Sequence, residues 1–338
     1  MIRLTEYSEQ GGCGCKISLG NLKEILSFDT NGNNETNDYQ ILEDCAISDL
    51  DDNYYSLHTL DFFSPIVYEP YLFGQISALN SISDIYAMGG TPEGALSILG
   101  WTKELSIEQA KEVLNGAASI CQNEGIKIMG GHSIYNSQPI FGLSVFGKVE
   151  KKNIKRVITN KSECDIFLTK KIGTGILSTL LKKNELLESE INDLKQNLLL
   201  SNKIGRKIGQ LPYVEAMTDV TGFGLGGHLH SICKNSQINA DINFEIIPII
   251  ESAKSKFSNN RTSVTLKNYE KISKDFSILK NNEINTLFDP QTNGGLLILV
   301  DANKKKGMED FLRKNQTEYS IIGKTSKSKN NNIKITIK

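Results

Sequence analysis

The sequence predicts an α+β fold divided into two domains. Three observations carry that prediction. The chain has 338 residues, enough for two domains of ordinary size. Strand-like and helix-like segments mix in both halves without strict βαβ alternation, which disfavours a doubly wound parallel sheet. Near the middle, "KKNIKRVITNKSE" is basic, polar and poor in core residues, as a crossing between domains would be. The expected division is a mobile glycine-rich arm at 1–20, an N-terminal domain at 21–155 and a C-terminal domain at 156–338.

The elements follow in order. Leu22–Phe28 has the spacing of a short amphipathic helix. "DTNGNNETND" reads as a solvated loop, since Asn, Gly and Asp favour turns and cannot form a core. "YYSLHTLDFF" is aromatic-rich and bounded by polar residues, the pattern of a strand. "LFGQISALNSISDIYAMGG" places apolar residues at helical spacing and stops at a glycine pair. "EGALSILGW" is expected as a strand, "SIEQAKEVLNGAASICQNEG" as a helix capped by Ser106, and "PIFGLSVFGKVE" as a strand. Beyond the crossing, "CDIFLTK" predicts a strand, Gly173–Lys182 a helix and Glu188–Gln210 one longer helix. "YVEAMTDV" then predicts a strand and Leu225–Lys234 a helix. The buried-type run "GGLLILV", the helical "KKKGMEDFLRKN" and strands near Tyr319–Gly323 and Ile333–Ile337 complete the chain.

Composition narrows the class. With 38 basic and 39 acidic residues there is no cationic excess for a broad nucleic-acid footprint. No run of about 18 apolar residues appears, so no membrane span is expected. The opening "MIRLTEYSEQ" lacks the apolar core of a secretion signal. The six cysteines are scattered and read as reduced cytoplasmic thiols rather than a disulfide framework.

"GGCGCK" sets Cys13 and Cys15 one residue apart, with Lys16 directly after. It is not a phosphate-binding P-loop, because Cys15 precedes the lysine, Ile17 follows it and no strand leads in. Three chemical readings stay open beside an incidental tail: a strained C-x-C redox pair, half of a metal site, and a nucleophile on a mobile arm. Zinc is disfavoured because no other Cys or His pair has the usual spacing. The nucleophile has a mechanism. A nearby lysine favours the thiolate, and glycines let the segment approach and retract.

Four aspartates are candidate ligands: Asp44, Asp61, Asp84 and Asp219. Asp84 is the hardest to dismiss, because a carboxylate among Ile82, Ile85 and Met88 is costly unless paired or bound to a cation. Four carboxylates at element ends would make an oxygen-rich cage suited to magnesium. Three glycine-rich segments, "MGGHSI", "KIGTGIL" and "TGFGLGGH", read as turns whose backbone N–H groups suit phosphate oxygens. His132 lies in the first of them, whereas His58 and His230 carry no evident role. "DPQTNGGLL" reads as a structural polar turn before a buried strand.

Taken together, "LTEYSEQGGCGCKIS", "LDFFSPIV", "LNSISDIYAMGGTPEGALSILGW", "GGHSI", "PIFGLSVFGKV", "AMTDVTGFGLGGHL" and "DPQTNGGLL" resemble the selenophosphate synthetase (selenide, water dikinase) family, in order and over nearly the whole chain. That family is part of the aminoimidazole ribonucleotide synthetase-like superfamily. The resemblance implies two α+β domains and a homodimer whose sheet is formed by the N-terminal, ATP- and metal-binding domain. It also implies the reaction of ATP, selenide and water to selenophosphate, AMP and phosphate. By the same resemblance, Cys13 and Lys16 are catalytic, with Lys16 near the phosphates. Asp44, Asp84 and Asp219 are implied as magnesium ligands. ATP contacts are implied for Ile41, Leu42, Glu43, Asp61, Asp84, Gly131, His132 and Ser133. A selenium-delivery protein is an expected partner. Departures from the family pattern are "ILED" at Ile41–Asp44, Leu60 before Asp61, and Asn293 at a usual serine position. The competing functions are a nucleotide-regulated selenium or thiol carrier without catalysis, which needs no aspartate set, and another small-molecule kinase of the superfamily, which needs no "GCGCK".

Overall fold

The computed structural model describes residues 3–8, 11–15, 25, 43–329 and 332–338, without the side chains of Cys13 and Cys15. Lys16, Ile41, Leu42, the loop after residue 28 and all of the expected Leu22–Phe28 helix except Ile25 lie outside the described residues.

The described residues form two sheets. The first contains β1 (Ala46–Asp49), β2 (Tyr54–Phe63), β3 (Thr91–Trp101), β4 (Ile128–Tyr135) and β5 (Ile140–Glu150), in the order β1-β2-β5-β3-β4. Helices α1 (Pro70–Ala87) and α2 (Ile107–Glu124) pack on each other, and α1 covers β2 and β5. The β3–α2–β4 crossover makes the single parallel pairing of this sheet. Pro70 opens α1 at a position where a missing N–H costs nothing. Ser106 and Gln109 form a reciprocal capping box on α2, and Gly125 closes that helix in the left-handed conformation. The helices touch backbone to backbone. A Cβ on Gly74 would stand 1.9 Å from the Val113 carbonyl oxygen, and one on Gly116 1.9 Å from that of Tyr71. Phe63, Phe73 and Phe141 stack edge-on beneath them at 5.9 and 6.4 Å.

The second sheet runs β11-β8-β10-β6-β9-β7. Its strands are β6 (Cys164–Leu168), β7 (Val214–Asp219), β8 (Ile238–Ile242), β9 (Leu296–Asp301), β10 (Ser320–Lys327) and β11 (Ile335–Ile337). Helices α3 (Thr174–Lys182), α4 (Glu188–Leu198), α5 (Ile204–Gly209) and α6 (Gly224–Ser236) accompany it, then α7 (Glu251–Lys254), α8 (Thr265–Glu270), α9 (Asn281–Leu287) and α10 (Lys305–Lys314). The interior strand β9 is apolar and buried through Leu296–Val300, as a strand covered on both faces must be. The mixed α+β architecture is the one the sequence predicts.

Four expectations change. Glu188–Gln210 is two helices, α4 and α5. Between them the Leu200 carbonyl accepts from Lys170 and Asn293, and Asn202 donates to Ser83 and to the Gly294 carbonyl. Those polar groups are committed to a distant turn and cannot continue a helical ladder. "GGHSI" is no turn: it lies in the exposed edge strand β4, paired in parallel with Leu96–Gly100. Gly131 is required there by close approach, since a Cβ would meet the Ser97 carbonyl oxygen at 2.2 Å. Asp61 lies in the interior of β2 rather than at the end of an element. Strands β1 and β8 and helices α7, α8 and α9 lack a strong sequence signal, being short and of mixed polarity.

Candidate active site

Three of the four aspartates converge. One carboxylate oxygen from each of Asp44, Asp84 and Asp219 lies within 4.8 Å of the others. They come from unrelated places: Asp44 just ahead of β1, Asp84 on α1, and Asp219 at the end of β7. Each accepts from a hydroxyl. Thr218 donates to Asp44 Oδ1 at 2.8 Å, Thr59 donates to Asp84, and Ser83 donates to Asp219. Asn202 in turn donates to Ser83 Oγ at 2.8 Å, tying the loop between α4 and α5 to the trio.

The electrostatics suit a cation. Burial, followed by repulsion from Asp219 and Asp84, raises the Asp44 carboxyl well above its ordinary value. Asp44 Oδ2 is buried without a hydrogen-bond partner. The same field and burial push the adjacent Cys45 thiol up. An orphaned oxygen and three crowded carboxylates are hard ligands for a divalent ion of the magnesium class. The donor set therefore fits the metal that the sequence implies.

The other expected residues are distributed differently. Asp61 is not one of the converging group. It accepts a 2.6 Å hydrogen bond from Asn80, whose own oxygen accepts from the Asn293 N–H at 2.7 Å. The "DPQTNGG" turn is thus structural, as expected, yet it orients a site residue. Asn293 also donates to the Leu198 and Leu200 carbonyls, and buried Lys170, which burial depresses to about 7, donates to Asn293 O. The Glu43 carboxylate binds Arg156 Nε at 2.6 Å and the Val157 N–H, pinning the chain ahead of Asp44 to the crossing between the sheets. Gly131, His132 and Ser133 sit on β4, three strand positions from β2 and so roughly 14 Å across the sheet. The Gly11–Cys15 turn docks on the body: the Gly12 N–H donates to the Ser64 carbonyl at 2.9 Å. Gly11 has a packing role there, because a Cβ would stand 2.3 Å from the Pro65 carbonyl oxygen. His230 pairs with Asp275 at 2.9 Å, and His228 accepts from the Thr221 N–H.

Sequence reasoning missed the orienting side chains Thr59, Asn80, Ser83, Asn202 and Thr218. A signal existed for two of them. Asn80 and Ser83 belong to a run of fully buried polar residues on a helix that is otherwise apolar.

The AIR synthase related protein N-terminal domain model matches residues 42–149, and the corresponding C-terminal domain model matches 161–336. Among solved structures, a HypE–HypF complex aligns with a TM-score of 0.68 at 16% identity, covering 94% of this chain and 96% of that one. Thiamine-monophosphate kinase from Stenotrophomonas maltophilia K279a aligns at 0.66 with 15% identity, covering 84% and 86%. These likenesses establish the fold. Among curated proteins, "Selenide, water dikinase" of Sulfurovum sp. (strain NBC37-1) is 43% identical, over 92% of this chain and 91% of the relative. That of Sulfurimonas denitrificans is 40% identical, over 96% of each. At that identity across more than nine-tenths of each chain, the protein belongs to the selenide, water dikinase family of enzymes.

Proposed function

We infer that this chain makes selenophosphate: ATP, selenide and water give selenophosphate, AMP and phosphate. The observation that carries the reading is the convergence of Asp44, Asp84 and Asp219 in a chain so similar to selenide, water dikinases. A triphosphate cannot approach three carboxylates unless cations intervene. Asp44, Asp84 and Asp219 would hold magnesium, which when bound offsets phosphate charge during phosphoryl transfer. Thr218, Thr59 and Ser83 hold the three carboxylates in place. Asp61, kept in orientation by Asn80, together with Asp84 and the Ile41–Glu43 segment, binds the nucleotide. Because the Glu43 side chain is engaged by Arg156, its share of that contact is the backbone. Lys16 neutralises the phosphates and Cys13 handles selenium; the Lys16 position and the Cys13 side chain lie outside the described residues. The reading keeps residues 1–20 as a mobile catalytic arm, 21–155 as the ATP and metal domain, and 156–338 as the second domain.

The chain works as a homodimer in this reading. Support comes from the first sheet, whose edge strand β4 exposes Met129, Ile134 and Tyr135, whose next strand β3 exposes Leu96, and whose strand β2 exposes Leu60 and Phe62. Such an apolar edge needs a cover, and Gly131, His132 and Ser133 would be presented to the partner across it. A cytoplasmic setting is supported by Cys45, Cys121, Cys164 and Cys233, all buried and free. Among the described residues no helix is long and apolar enough to cross a membrane. A selenium-delivery protein is the partner this chemistry calls for at the arm.

Phosphorus NMR of the protein with ATP, magnesium and selenide tests the reading. Selenophosphate and AMP should accumulate together. ADP as the stable end product would make the protein a plain kinase. The Cys13→Ser variant should lose selenide-dependent AMP formation, and unchanged turnover would remove Cys13 from the chemistry.

A further inference from the structure

Apart from the carboxylate trio, a cleft of 690 Å³ opens beside the glycine-rich turn. Gly11 and Gly14, which flank Cys13 in sequence, line one part of it. Lys182 and Lys183 at the end of α3, and Arg261 from the segment before α8, line another. Six hydroxyl side chains also line the cleft, among them Ser178, Thr262 and Thr292. No carboxylate occurs among the described residues that form it.

A bland account exists for the lysines, since cations favour the C-terminus of a helix. It does not cover Arg261, which arrives from a separate stretch of chain. Nor does it explain why no described carboxylate forms an ion pair with Lys183 or Arg261. Other cations at the surface of this protein do have such a partner, as Lys148 has Glu93 and Lys161 has Asp301. A cationic, hydroxyl-rich concavity is a poor place for a neutral ligand and a good one for an anion with several oxygens. A guanidinium presents paired N–H donors to such an anion, and hydroxyls supply the remaining hydrogen bonds. A soft, weakly accepting anion such as hydroselenide would use few of those donors.

We propose that this cleft binds a phosphate-class oxyanion. Its volume is ample for a phosphate carrying a substituent. Thr292 lines the cleft, while the next residue, Asn293, holds the Asn80–Asp61 link, so one turn serves both sites. The ligand has two possible sources, inorganic phosphate in solution or a phosphorylated product leaving the neighbouring site, and both share the oxyanion chemistry. The proposal does not depend on the selenophosphate reading, because binding is measured without turnover.

The test is calorimetric titration of the full chain in magnesium-free buffer at constant ionic strength. Inorganic phosphate is one probe, and thiophosphate, which carries one sulfur in place of an oxygen, is the other. Wild type should bind saturably, with phosphate preferred if the source is solution and thiophosphate preferred if it is the product. The doubly substituted Lys183→Gln/Arg261→Gln variant should bind both roughly tenfold more weakly or worse, the scale of losing charge-assisted hydrogen bonds. Both side chains are exposed, so the fold should tolerate the change. Asp84→Asn should bind phosphate like wild type, which separates the cleft from the trio. Absence of saturable binding to wild type, or equal binding by the double variant, overturns the proposal.

Discussion

Replacing Asp84 by asparagine should stabilise the metal-free protein and abolish its response to magnesium. Charged oxygens within 4.8 Å repel by about 3.5 kcal/mol or more per pair at an effective dielectric of about 20. Asp84 takes part in two of the three pairs. Part of that repulsion is relieved because burial and the neighbouring carboxylates raise the Asp44 carboxyl and so favour its protonated form. The net gain for Asp84→Asn without metal is therefore about 1–3 kcal/mol. An asparagine oxygen can still accept from Thr59, so geometry is kept. With magnesium at 100 times its dissociation constant, wild type should gain about 2.7 kcal/mol and the variant little. The pH dependence has a fixed sign. A carboxyl raised in the folded state binds a proton that the unfolded chain releases, so metal-free stability falls as pH rises from about 4 toward neutrality. Asp84→Asn should flatten that slope. Urea unfolding in chelator and in magnesium, at several pH values, gives all three quantities. A variant less stable than wild type in chelator, or equally stabilised by magnesium, would refute the cation-site argument.

Three further outcomes follow from the structure. Thr218→Val keeps the shape of the side chain but removes the donor to Asp44 Oδ1, so the magnesium needed for half-maximal stabilisation should rise about tenfold while every charge stays in place; an unchanged midpoint would show that the hydroxyl does not orient the ligand. Burial lifts Asp289 from 3.8 to about 7, so wild-type stability should fall relative to Asp289→Asn as pH climbs between those values, by about 4 kcal/mol at most; parallel pH profiles in urea unfolding would contradict this. Gly74→Ala places a Cβ 1.9 Å from the Val113 carbonyl oxygen and should cost about 3 kcal/mol or more in the same measurement, whereas a cost below about 1 kcal/mol would mean that the helix pair separates easily.

Much of the site could be read from single residues, because cost leaves a mark in sequence. Asp84 stands out among Ile82, Ile85 and Met88, and a buried carboxylate demands a partner. The hydroxyls that orient the trio leave no such mark, since Thr59 and Thr218 look like ordinary strand residues. Glycine is ambiguous for a physical reason. It marks both turns and places where two backbones touch, and at Gly131 the second reason applies. The single helix expected over Glu188–Gln210 fails for a different reason. Its periodicity continues past Leu198, but the stop is imposed by Asn293 and Lys170, about a hundred and about thirty residues away in sequence, which no local pattern contains.

The placement of the three carboxylates explains why the site needs both sheets. Asp44 leads into the first sheet, Asp84 rides on the helix that covers it, and Asp219 ends an edge strand of the second. Ser83, one residue before Asp84, donates to Asp219, and Asn202 links that hydroxyl to the Gly294 carbonyl. Without a cation the carboxylates push the two halves apart, and these neutral donors oppose the push. With a cation the same charges pull together. The hydrogen bonds that oppose the push are individually modest, net about 1 kcal/mol each, whereas a bound cation would hold the trio by charge. On the reading that the trio binds a cation, metal loading, rather than packing alone, would be the step that fixes one half of the molecule against the other.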